Sequence, residues 1–393
     1  MNKLLVNLGL AIVPFFIWSG FDTRQPKMFL AVFFALALSL QAIYQGSRIK
    51  VSNKYALILI AYLFFNVLLI PGNKALLNDV SVGTFWIWEG LFQVLTFFLF
   101  FGLLSNAEYK KEDMERSFKV MACVASILCF YSIFQSFGID QFFGSVAHGR
   151  MFYPQNCPAS FGSISLLSTF LAILCPVILY LKKYWLLLIM GIVLFFLNIQ
   201  TAQVVAVFSV LFVYFSKTKK RLAVLALIVI LGISGIAFGI KNNEGLRFKF
   251  SDGGRFGVWK SAVEDINKNQ TGENIPTRYP LSGYGMGAFK YFFHANHKDP
   301  IGSSFLEAHN DFVEFLYNTG FIGFILLLFS IGLIVKDFMF SQSFLERCLF
   351  SSFVASVLCA CTLFVWQMGA HIYYTLVVLA FLYNRKHSQE AKQ

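Results

Sequence analysis

The chain has 393 residues, of which 57% are hydrophobic and only 13% charged, with 48 phenylalanines and a formal net charge of +12. A soluble protein of this size cannot hide so much apolar side chain, and a β-barrel shows alternating strands of about ten residues rather than long continuous apolar runs. Both are excluded, and so is a nucleic-acid partner, because the basic residues sit in short clusters between apolar runs and not on one soluble face.

Spanning a bilayer takes about 20 apolar residues, and runs approaching that length predict helices at 4–20, 28–45, 55–71, 85–104, 118–137, 159–180, 184–200, 203–216, 222–240, 312–335, 348–366 and 371–384. The fold class is therefore all-α: a polytopic helical membrane protein of about twelve transmembrane helices with one large loop on the non-cytoplasmic side. The clusters Arg48/Lys50/Lys54, Lys110/Lys111/Arg116/Lys119, Lys182/Lys183, Lys217/Lys219/Lys220/Arg221 and Arg385/Lys386/Lys392 all fall on even-numbered exits, which places both termini in the cytoplasm. The opposite short loops hold only Arg24, Lys27, Lys74 and Arg150. The first run lacks a small-residue cleavage site and reads as a retained helix, not a signal peptide. Helices one to nine occupy 1–240, the large loop 241–311, and helices ten to twelve with a cytoplasmic tail 312–393. Cys157 is the one cysteine in a connecting loop, and no C-x-x-C occurs, so neither a disulfide framework nor a zinc site is indicated.

Two places depart from simple spans. Asn198, Gln200, Thr201 and Gln203 interrupt an apolar stretch that is long for one span and short for two, which predicts a hairpin or broken helix of the kind that lines a cavity. The second is the large loop. Within it, 255–267 reads as an amphipathic helix with Trp259, Ala262, Val263 and Ile266 on one face and Lys260, Glu264 and Asp265 on the other. Gly283, Gly285 and Gly287 lack the Lys-Ser/Thr of a P-loop, so turn formation is their better account.

The segment 304–323 gathers Glu307, His309, Asn310, Asp311 and Glu314 at the doorstep of a span, where polar residues are costly unless they function. Neutral imidazole accepts a hydroxyl proton and carboxylates orient it; the competing reading of His309 is a capping or interfacial histidine. Arg255 opens the amphipathic helix with a planar fork of donors that matches phosphate oxygens, against a simple helix-flanking role beside Asp252 or a lipid headgroup. Arg150, a lone cation on the face depleted of them, suits an anionic ligand or a headgroup. His294 and His297 with His309 and Glu307 form a weaker metal alternative without any recognised zinc spacing. Glu89 and Gln203 are further polar residues within apolar runs, and Glu89 also fits an interfacial position beside Trp86 and Trp88.

His309-Asn310, nine residues, Gly320, two residues and Gly323 resemble the His-Asn/Ser/Gln, x9, Gly-x-x-Gly motif of the O-antigen ligase superfamily, which includes polymerases and protein O-oligosaccharyltransferases. Arg255-x-x-x-Trp259 and Pro280-x-x-Gly283-x-Gly285 are similar to the pattern opening that family's periplasmic loop, and the twelve-helix layout is similar too. The resemblance implies transfer of a glycan from undecaprenyl diphosphate to an acceptor hydroxyl in the inner membrane, with no metal or other cofactor. Lipid A-core is the acceptor for a ligase. The catalytic residues would be His309, activating or positioning the hydroxyl, and Arg255, holding the diphosphate. Arg150, Gln203, Asn310, Glu307 and Lys290 would contact substrate. Gln203 stands where the family usually carries an arginine, so that either Arg150 or Lys290 compensates or the activity differs from ligation. Asn318 stands where many members carry glutamate. A polymerase is the nearest alternative, followed by a protein O-oligosaccharyltransferase or a lipid-oligosaccharide flippase. The flippase is disfavoured because the polar residues gather at the membrane edge and not at its midplane.

Overall fold

The computed structural model describes residues 2–16, 24–46, 92–137, 159–219, 255–267 and 308–390, together with Leu281, Gly283, Phe289 and Phe293. Among these residues the regular structure is helical, with no strand. The helices are α1 (Lys3–Ile12), α2 (Arg24–Tyr44), α3 (Gln93–Ser105), α4 (Lys111–Ser136), α5 (Ile164–Tyr180), α6 (Tyr184–Leu197), α7 (Gln200–Phe215), α8 (Arg255–Asn267), α9 (Asp311–Phe338), α10 (Phe344–Ala360) and α11 (Gly369–Glu390). All but α8 overlie a predicted span; the spans at 55–71 and 222–240 lie outside the described residues. Among the described residues, three helices are long and apolar enough to cross a membrane, Pro26–Tyr44, Lys111–Ser136 and Asp311–Phe338. α6 and α7, of 14 and 16 residues, fall short of the requirement of about 20.

The chain divides into two compact units, residues 1–56, 95–213 and 341–393 in one, 57–94 and 214–340 in the other. In the first, α5 is the central helix. Every residue from Leu166 to Leu179 is buried, the pattern of a helix apolar all round, and α4, α6 and α10 pack about it. α11 joins α10 to α2. Small residues let backbones and rings approach closely: a Cβ on Gly9 would lie 2.4 Å from the Tyr373 hydroxyl, and one on Gly369 would lie 2.3 Å from the Lys27 carbonyl oxygen. Hydroxyls staple the helices where apolar contact alone gives little specificity in lipid. Ser351 donates to the Ser209 carbonyl at 2.6 Å, and Ser356 pairs with Thr375 at 2.9 Å.

Two buried cations close the ends of this unit. Lys27 donates to the carbonyls of Phe16 at 3.1 Å and Ser160 at 2.5 Å. Arg347 donates to Val213 in the last turn of α7 at 2.9 Å, where the carbonyls and the helix dipole favour positive charge. Phe29, Phe33 and Leu40 on α2, and Ile127, Phe130 and Phe134 on α4, form exposed stripes of the kind that lipid covers.

The second unit is built on α8 and α9. Val258, Ala262 and Ile266, spaced four apart, bury against Phe289, Phe293, Ala308 and Tyr317. The predicted amphipathic helix has the expected bounds, but its buried face is rotated. Asp265 is buried with that stripe, because seven residues bring it almost back beneath Val258, and Val263 turns outward. Along α9, Ile325, Leu328 and Phe329 stay exposed, leaving the second half of the helix as apolar surface.

Candidate active site at the start of α9

Asn310 starts α9. Its backbone is extended, and its side-chain oxygen accepts the N–H groups of Phe312 at 3.0 Å and Val313 at 3.2 Å, satisfying two of the donors that a helix start leaves open. The asparagine oxygen is thereby committed to the cap, so only the amide N–H groups of Asn310 suit a substrate. His309, immediately before it, has φ +51°, a left-handed conformation that costs a non-glycine residue about 1–3 kcal/mol and persists only where the surroundings over-determine it. The capping alternative for His309 thus falls to its neighbour, and the histidine is half-buried at the helix entry with Asp311 and Glu314 in the first turn.

The nine residues between Asn310 and Gly320 are one structural piece. They are the helical segment 311–319, about 14 Å of helix, which ends where Gly320 leaves helical geometry at φ +64° and ψ −168°. The break is locked from outside. Ile322 donates its N–H to the Leu281 carbonyl at 3.0 Å, and Asn318 accepts the Phe289 N–H at 2.9 Å. Gly283, at φ +71°, lies backbone against backbone with Gly320: a Cβ on either would come 2.4 Å from the other's nitrogen. At Gly323, a Cβ would fall 2.3 Å from Thr319 Oγ1, which is itself bonded to the Phe315 carbonyl at 2.7 Å. The motif glycines are therefore places where backbone or side chain must approach without a Cβ. Asn318, a departure from the family pattern by sequence, is the residue that ties the loop to the helix break.

α8 docks beside the histidine. The Trp259 indole N–H donates to the Ala308 carbonyl at 2.7 Å, and Glu314 accepts the Ala308 N–H at 3.2 Å. Below them Phe289 stacks on Phe293 with ring centroids 4.6 Å apart, and Tyr317 packs edge-on to Phe289 at 5.2 Å. This aromatic base gives the entry to α9 a rigid floor. Arg255 is the first residue of α8, one turn before Trp259, so the helix that carries the arginine also touches the histidine loop.

Gln203 lies in the other unit. Its amide donates to the Leu194 carbonyl at 2.9 Å, bridging the break at which Asn198 takes a left-handed φ of +53° between α6 and α7. The predicted interruption is real, and Gln203 closes it. Arg150, Lys290, Glu307, His294 and His297 lie outside the described residues; of the predicted site residues in this unit, His309 and Asn310 adjoin at the start of α9, and Arg255 opens the helix whose Trp259 bonds to Ala308. Among the described residues there is no group of three His, Cys, Asp or Glu side chains placed to hold a metal. The sequence singled out Trp259, in the apolar face and the motif, and Glu314, among the polar residues at the start of the span, but not the hydrogen bonds by which both hold Ala308.

The family described as O-Antigen ligase matches residues 185–328. The match runs from α6 through α7 and α8 to the exposed half of α9, and includes Gln203, Arg255, His309 and both glycines of the helix break. No curated protein matches the chain. The match spans less than half of the chain, so what it shows is a likeness of residues 185–328 to the O-antigen ligase family.

Proposed function

We propose that the protein is an O-antigen ligase, transferring a finished glycan from undecaprenyl diphosphate to a hydroxyl of lipid A-core at the periplasmic face of the inner membrane. The observation that carries this reading is the strained His309, held against the helix that begins with Arg255 inside the matched region. In the reaction the acceptor hydroxyl oxygen attacks the anomeric carbon while neutral His309 takes its proton. The bond from that carbon to the diphosphate oxygen breaks, and undecaprenyl diphosphate leaves with both electrons. Arg255 neutralises the charge that develops on the diphosphate, a planar donor fork being suited to phosphate oxygens. The lipid carrier stores the driving force, so the chemistry calls for no nucleotide, and the charge stabilisation assigned to arginine calls for no metal.

Deleting the gene separates this reading from its nearest alternative. A ligase acts on finished chains, so its loss is expected to leave long glycan on undecaprenyl diphosphate and bare core at the surface. Core carrying a single repeat would assign the protein to polymerisation instead, a reading for which Gln203 in place of the family's arginine is the supporting observation.

Orientation has its own test. Cys361 is exposed just beyond the end of α10, on the side proposed to face the periplasm, whereas Lys219 is exposed beyond α7 on the proposed cytoplasmic side. A membrane-impermeant maleimide applied to spheroplasts is expected to label Cys361 and not a Lys219→Cys variant lacking the native thiols. The reverse pattern would invert the topology.

A further inference from the structure

We propose that Trp259 and Glu314 are positioning residues that set the catalytic backbone of His309 by gripping both sides of Ala308, an inference that rests on His309 being the proton acceptor. The φ of His309 is the rotation of its Cα relative to the peptide plane joining residues 308 and 309. The carbonyl of that plane accepts the Trp259 indole N–H at 2.7 Å. One peptide plane earlier in the chain, the Ala308 N–H donates to Glu314 Oε2 at 3.2 Å, and Glu314 stands on the first turn of the helix that the histidine precedes. Ala308 itself is only 1% exposed, sealed within the cluster formed by Val258, Ala262, Phe289 and Tyr317.

Held on the N-terminal side by these two bonds and on the C-terminal side by the Asn310 cap, His309 has little freedom to relax toward an ordinary φ. A left-handed residue with one restraint removed returns to the right-handed or extended region, and its side chain then points elsewhere. Trp259 adds a second consequence. It lies four residues after Arg255 on the same helix, so one hydrogen bond fixes the histidine backbone against the element that begins with the arginine. The buried Glu314 acts through its oxygen as an acceptor, and that predicts which substitutions it tolerates.

The test uses the full-length protein in liposomes with undecaprenyl diphosphate-linked glycan as donor and lipid A-core as acceptor. Trp259 is replaced by its benzothienyl analogue, in which sulfur stands for the indole N–H and the ring shape is kept, and in parallel by Trp259→Phe. Loss of the donor is expected to lower kcat about tenfold to a hundredfold, the scale of small misplacements of catalytic groups, with the donor KM and the thermal midpoint of the analogue unchanged. Glu314→Gln, whose amide oxygen still accepts, is expected to retain most activity, and Glu314→Leu to lose it as the tryptophan analogue does. Wild-type kcat in the analogue, or a loss matched by a fall in thermal midpoint, would overturn the role of Trp259. Glu314→Gln as damaging as Glu314→Leu would overturn the acceptor role of Glu314. Failure of the underlying reading is separate, since it shows as transfer by His309→Ala, whatever the Trp259 and Glu314 variants do.

Discussion

His309→Ala is expected to lower glycan transfer by about a hundredfold to ten-thousandfold, the range over which a positioned general base contributes. The protein should still insert and accumulate, because the imidazole is half-buried at the helix entry and is not part of the aromatic floor beneath it. His309→Gly sharpens the experiment. At φ +51° glycine carries no Cβ penalty, whereas alanine keeps a cost of about 1–2 kcal/mol. The glycine variant should therefore be at least as stable as the alanine variant and equally inactive. Transfer measured in liposomes, alongside thermal unfolding of both variants, decides the matter: normal transfer by either would remove His309 from the chemistry, and recovery of activity in the glycine variant would make its role one of backbone shape.

The helices were legible because lipid imposes a simple rule on sequence: a spanning segment must be apolar and satisfy its own backbone. Ten helices accordingly lie on predicted spans, three of the described ones long and apolar enough to cross a membrane, and the polar interruption after α6 marked a real break at Asn198. The bounds of α8 were also legible, but its facing was not. Trp259 and Val263 share one side of a helical wheel and Val258 and Asp265 another, and only packing against Tyr317 and Phe289 selects the second as the buried one. The histidine motif could be read as a string of residue types, while the physical reason for its spacing could not. Nine residues measure the helical segment from the Asn310 cap to the Gly320 break, and the reason for the break lies in Leu281 and Gly283, distant in sequence. Contacts across such separations leave no periodic trace in a single chain. The same holds for Trp259 and Ala308, joined by one hydrogen bond across 49 positions.

Gly320→Ala is expected to produce the largest loss of stability of any single methyl addition on α9. At φ +64° and ψ −168° Gly320 occupies a region that is essentially reserved for glycine, at a cost of about 1–3 kcal/mol for other residues. The new Cβ would also lie 2.4 Å from the Gly283 nitrogen and 2.6 Å from the Leu281 carbonyl oxygen, both backbone atoms that cannot rotate aside. Overpacking of this kind adds about 1–3 kcal/mol. Relief requires the loop to move away, and that motion breaks the hydrogen bond from Ile322 to Leu281 and strains the one from Phe289 to Asn318. The aromatic floor under Ala308 then loses Phe289, so transfer should fall together with stability. Gly332→Ala on the same helix supplies the control, since nothing lies within 4 Å of its Cβ and alanine is the better helix former by about 1 kcal/mol. Gly283→Ala should resemble Gly320→Ala, and the double variant should cost less than the sum of the two, because both methyl groups force apart the same pair of backbones. Thermal unfolding of the four variants in detergent gives the comparison. A Gly320→Ala protein as stable as Gly332→Ala would show that the helix break does not depend on the close approach of these glycines.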